Sequence, residues 1–109
     1  MEQRLYDLTG LEKATDGDKE FLNNMVQLIL VDTPIDLLAM ETALKNADYT
    51  NVLSIAHKIK PSIKYICIQQ LFEEILAIEK WEENDAIMAE LCNRFVANIY
   101  LALTQLKNI

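Results

Sequence analysis

Only two glycines and two prolines interrupt a chain of 109 residues. That is too little turn chemistry for a many-stranded sheet, whose hairpins need residues tolerant of positive or fixed φ at every reversal. Helices need far fewer such residues and are the elements this scarcity leaves. Half of the residues are apolar, enough to bury one modest core without disulfides or metals, so a single domain over residues 1–109 is expected.

The apolar pattern supplies the elements. Leu8 to Ala14 suits one or two helical turns, and Thr15-Asp16-Gly17-Asp18 reads as a break followed by an acidic helix start. Phe21, Leu22, Met25, Leu28 and Ile29 recur at three- and four-residue steps, predicting a core-facing stripe on a helix that runs to about Asp32. Thr33-Pro34-Ile35-Asp36 then predicts a boundary, with Thr33 as cap, Pro34 at the first helical position and Asp36 closing a capping box. Leu37, Leu38, Ala43 and Leu44 carry the next helix to Asn46-Ala47, and after a tight turn Asp48 caps another that begins at Tyr49.

Beyond Cys67, the segment from Gln69 to Trp81 places Leu71, Ile75 and Ile78 at helical spacing. Glu82-Glu83-Asn84-Asp85 interrupts it, with Asn84 a cap for the last helix. That helix, Asp85 to about Lys107, sets Ile87, Leu91, Phe95, Ile99, Ala102 and Leu106 on one side. These elements and their short connections predict an all-α fold, an antiparallel up-down-up-down four-helix bundle with a short extra N-terminal helix. One apolar face per helix is all that such a bundle has to bury, so a monomer is expected.

A formal net charge of −7 argues against nucleic acid and against an anionic membrane surface, because neither partner offers anything to repay the repulsion. Apolar runs such as Leu28-Ile29-Leu30-Val31 are too short to span a bilayer, and no signal-like core follows Met1-Glu2-Gln3-Arg4. The two cysteines, Cys67 and Cys92, lack metal-ligand spacing and fit a reducing cytoplasm. The acid pairs Glu73-Glu74 and Glu82-Glu83 read as solvated helix faces rather than catalytic carboxylates.

One helix stands apart. Val52, Ile55, Ala56, Ile59, Ile63 and Ile66 fall within a stripe roughly 100° wide, and His57 lies about 150° from its centre. Lys60 and Lys64 sit three and seven positions after His57 on the same outer face. From Tyr49 to Leu71 there is no Asp or Glu, although the chain holds 17 acids, while His57, Lys58, Lys60 and Lys64 all fall inside that window. The residues alone leave two readings open: a solvated face that happens to be basic, or an exposed histidine in a selected field.

The segment Ala56-His57-Lys58-Ile59-Lys60-Pro61-Ser62 resembles the Ala-His-x-Leu-Lys-Gly-Ser segment of histidine phosphotransfer domains. The likeness extends from Tyr6-Asp7-Leu8 through Asp32-Thr33-Pro34 and Asp48 to the long last helix. It implies a phosphoprotein of a two-component phosphorelay in which His57 accepts a phosphoryl group from a receiver aspartate and passes it to another receiver. Lys60 matches the family's lysine and, with Lys64, would give electrostatic support. The chain would be a carrier and not an enzyme with a kinase site of its own. It needs no cofactor, since Mg²⁺ belongs on the partner receiver. The partners implied are a response-regulator receiver domain and a hybrid sensor histidine kinase.

Leu53, Lys58, Pro61 and Ile68 are the residues expected to contact that partner, Leu53 and Ile68 as exposed apolar side chains beside the reactive group. Pro61 stands where the family has glycine, and lacking an N–H it should bend the helix around the core. Cys67 replaces a second family glycine and reads as a small, partly buried apolar residue. The rival reading is a helical adaptor that binds receiver domains without being phosphorylated, with Pro61 marking loss of the chemistry.

Overall fold

The computed structural model describes residues 3–81 and 85–109, so the expected Asn84 cap, the Glu82-Glu83 pair and Met1 lie outside the described residues. The described residues form five helices: α1 (Thr9–Ala14), α2 (Lys19–Lys45), α3 (Tyr49–Ile66), α4 (Gln69–Glu79) and α5 (Asp85–Lys107). The long helices α2 and α3 begin where an aspartate can accept an orphan amide. Asp18 accepts from the Phe21 N–H at 3.1 Å, and Asp48 accepts from the Asn51 N–H at 3.3 Å, as its position before Tyr49 predicts. Between them α2 closes in a Schellman turn: the Asp48 N–H donates to the Ala43 carbonyl and the Ala47 N–H to the Leu44 carbonyl. Ala47 occupies the left-handed position (φ 55°) that glycine usually fills.

The boundary expected at Thr33-Pro34 is absent, because α2 continues through Pro34 as one helix. Its buried residues Val26, Ile29, Leu30, Thr33, Leu37, Met40 and Ala43 keep one helical phase on both sides of the proline. Thr33 is buried in that stripe rather than capping, and Asp36 accepts from Lys58 instead of closing a box. An interior proline costs about 3 kcal/mol of helix stability. An unbroken apolar stripe that buries several large side chains at about 1.5–3 kcal/mol each outweighs it.

The stripe also sits differently from the one expected. Phe21, Leu28 and Leu38 are exposed on α2, and Ile87 is exposed on α5, whereas Val26, Leu30 and Met40 are buried. The inner stripes of α3 and α4 are the residues the pattern names: Val52, Ile55, Ala56, Ile59, Ile63 and Ile66, then Leu71, Ile75 and Ile78.

From α2 to α5 each helix packs on the next, α5 also packs on α2, and α1 packs on α3. Phe95, Leu37, Met40 and Ile63 are among the largest side chains wholly removed from solvent. By length and composition α5 is apolar enough to cross a bilayer, which the short apolar runs did not suggest; here it buries Met88, Cys92, Phe95, Ile99 and Leu106 within the core.

An extended N-terminal segment, missed by the helical pattern, seals one end. The Asp7 N–H donates to the Ile66 carbonyl at 2.8 Å and the Ile68 N–H to the Leu5 carbonyl at 3.0 Å, so Leu5 is buried and one carbonyl at the end of α3 is satisfied. Gln105 of α5 holds the same segment, accepting from the Leu5 N–H and donating to the Gln3 carbonyl, each at 2.7 Å.

Candidate functional site

The α3 stripe decides where His57 points. With Ala56 and Ile59 wholly or almost wholly buried, the residue between them on the opposite side of the wheel must face solvent, and His57 is exposed. Pro61, one turn on, is also exposed and continues the same outward line, with Lys64 beyond it. Because Pro61 has no N–H, the His57 carbonyl receives no helical bond from it, yet α3 runs unbroken from Tyr49 to Ile66.

The neighbouring helices change the charge picture drawn from sequence. The window from Tyr49 to Leu71 is free of acids along the chain but not in space. On one flank of α3, Lys58 Nζ donates to Asp36 Oδ1 of α2 at 2.9 Å. This carboxylate, followed by the field of Asp32, holds the Lys58 ammonium above its ordinary pKa. On the other flank, Lys60 Nζ donates to Glu79 Oε2 of α4 at 3.0 Å, with both side chains about three-quarters buried. The second oxygen of Glu79 is buried without a hydrogen-bond partner among the described residues. Lys64 is exposed and makes no ion pair among the described residues. Thus His57 lies on a ridge flanked by two committed lysines, with one uncommitted lysine two turns away.

Leu53 and Ile68 are not the exposed apolar pair that the helical wheel predicts. Both are half-buried and packed against the core. Leu53 borders the buried stripe beside Val52 and Ala56. Ile68 lies past the end of α3, as the extended N-cap of α4 (ψ 160°), so a wheel extrapolated from His57 no longer applies to it. Ser62 is half-buried and lines the groove between α2 and α3 with Lys58, Asp32 and Asp36.

Cys67 is buried more completely than expected, and desolvation pushes its thiol up to about 12; Cys92, also buried, is pushed up to about 11. Neither is a thiolate at neutral pH, which removes the species needed for redox reactivity. Among the described residues no group of three or more His, Cys, Asp or Glu is placed to hold a metal ion. Trp81 stacks at a tilt on Tyr49, their ring centroids 5.0 Å apart, as a helix-end packing pair.

The geometry therefore places the chain's one imidazole in open solvent in the middle of a helix, between two lysines that are each paired with a carboxylate of a neighbouring helix. No protein-family model, curated protein or solved structure gives a significant match to this chain.

Proposed function

We propose that this chain is a histidine phosphotransfer protein that carries a phosphoryl group on His57 between receiver domains of a two-component relay. The observation that carries the reading is the outward projection of the chain's one histidine from a bundle helix, within Ala56-His57-Lys58-Ile59-Lys60. A receiver domain docks over the α3 ridge, and the unprotonated ring nitrogen of His57 attacks its aspartyl phosphate. The P–N bond forms as the P–O bond to the carboxylate breaks, so the aspartate leaves as a carboxylate and the same step reverses toward a second receiver. The receiver brings Mg²⁺; Lys60 and Lys64 lower the cost of the added negative charge.

The pairings Lys58 with Asp36, Lys60 with Glu79 and Tyr49 with Trp81 support antiparallel neighbours α2–α3 and α3–α4 within the proposed up-down-up-down bundle, which presents α3 between two flanking helices. The two free cysteines fit a reducing, cytoplasmic setting. One observation favours the adaptor reading instead: Lys60 is held by Glu79, away from full engagement with a phosphoryl group.

Transfer from a panel of labelled phospho-receivers, some fed by hybrid sensor kinases, separates the two. Acid-labile label on the wild type and none on His57→Gln is the expected result. Receivers that bind the chain but never label it overturn the carrier reading and leave the adaptor.

A further inference from the structure

The outer face of α2 carries a second apolar stripe, which the bundle does not use. Phe21, Leu28, Val31, Ile35 and Leu38 are 51%, 53%, 63%, 64% and 63% exposed. From Leu28 onward they alternate steps of three and four residues, the a/d spacing of a helix–helix seam, on the side of α2 opposite Val26, Leu37 and Met40. Solvated helices carry one apolar face, and the expectation of a monomer rested on that premise; α2 does not meet it.

We infer that this seam is the interface of a twofold dimer, in which α2 of one copy packs antiparallel on α2 of a second copy. The seam is its own complement. Laid antiparallel about Thr33, Leu28 meets Leu38 of the second copy and Val31 meets Ile35 of the second copy, like against like. Beyond them Asn24 meets Thr42 of the second copy, and Phe21 meets Lys45 of the second copy, a ring opposite an ammonium at each end of the contact. An isologous interface requires such self-complementarity, and the order Leu28, Val31, Ile35, Leu38, with β-branched side chains at the centre and leucines outside them, supplies it.

Charge agrees. Of the acids closest to the middle of the seam, Asp36 is paired with Lys58 of α3 and Asp32 lines the same α2–α3 groove, so both stand to the side of the seam and two copies of an acidic protein meet without opposed carboxylates along its centre. The helix from Phe21 to Lys45 gives about 36 Å of contact at 1.5 Å per residue. A bilayer surface is the poorer occupant, since Asp32 and Asp36 stand beside the middle of the stripe and its one lysine, Lys45, stands only at the end.

Sedimentation equilibrium of the full chain from micromolar to millimolar concentration is the test. The mass is expected to rise from 12.5 kDa to twice that, with Ile35→Lys, checked as folded by circular dichroism, remaining at the single mass. Leu101→Lys, on the exposed face of α5, keeps the doubled mass. A wild type that stays at the single mass throughout overturns the inference, as does a dimer that survives both Ile35→Lys and Val31→Lys. Orientation is read by disulfide trapping, which the buried native cysteines do not disturb. Mixed Val31→Cys and Ile35→Cys chains cross-link to each other in the antiparallel arrangement; each variant linking to itself alone overturns it. The inference stands apart from the reading of His57, because none of these measurements involves phosphoryl transfer.

Discussion

Helices α2 and α3 are built alike on the inside and differently on the outside. Each starts at an aspartate cap, each keeps an unbroken buried stripe, and each tolerates one interior proline. Outside, α3 shows an imidazole, a proline and lysines, while α2 shows aliphatic side chains and one phenylalanine ring. The inner faces answer to the same packing problem and say nothing of function. The outer faces, free of that demand, separate a face suited to chemistry from one suited to association.

If the inner faces are equivalent, truncating either one has a similar and large effect. Leu37→Ala in α2 and Ile63→Ala in α3, both wholly buried, should each lower unfolding free energy by about 2–5 kcal/mol in urea titrations. A much smaller loss at Leu37 would mean that α2 is held chiefly from its outer side. The prolines come next. Pro34→Ala and Pro61→Ala return an N–H to the carbonyls of Leu30 and His57 and should stabilise by about 1–3 kcal/mol, the helix gain being offset in part by a freer unfolded chain. A destabilised Pro61→Ala protein would show that α3 depends on the ring for its shape.

Alkali probes the end of α3. The Cys67 thiol has a folded pKa raised from 9.0 to about 12, so its contribution is complete below pH 9 and is lost as pH rises from 9 through 12, when the unfolded thiol ionises first. Cys67→Ala should show a shallower loss of urea midpoint than the wild type between pH 9 and 11. The smallest effects belong to the flanking ion pairs. Lys60→Met leaves Glu79 with two unpartnered oxygens and should cost about 1–2 kcal/mol. Lys58→Met removes a pair whose lysine is open to solvent, and its effect should be less than that of Lys60→Met and vanish in high salt. On the proposed carrier reading, Glu79→Gln releases Lys60 and should speed labelling of His57 several-fold in single-turnover transfer; an unchanged rate would confine Lys60 to packing.

The inner face of α3 was legible because six apolar positions and one helical period suffice to orient it, and with it His57. The Asp48 cap was legible for the same local reason. Pro34 is a strong local stop signal, but the apolar phase of Val26, Leu30, Thr33, Leu37 and Met40 continues through it and overrides it. The two stripes of α2 run side by side in the sequence, so that Leu28 and Ile29, adjacent residues, face opposite environments. Asp36 and Glu79 could not be read beside the lysines, since their approach depends on how α2 and α4 flank α3. The segment Leu5–Asp7 has no periodicity, and only its backbone partners in α3 and α5 give it a place.

That segment also sets an order in time. The bond from the Leu5 N–H to Gln105 joins residues one hundred positions apart, so its donor leaves the ribosome well before its acceptor. The contacts among α2, α3 and α4 join near neighbours and can form during synthesis. The Leu5 carbonyl can meet the Ile68 N–H before α5 is made, whereas the Leu5 N–H has to wait for Gln105. In native-state hydrogen exchange the Leu5 amide then reports the departure of the last helix rather than the melting of the whole.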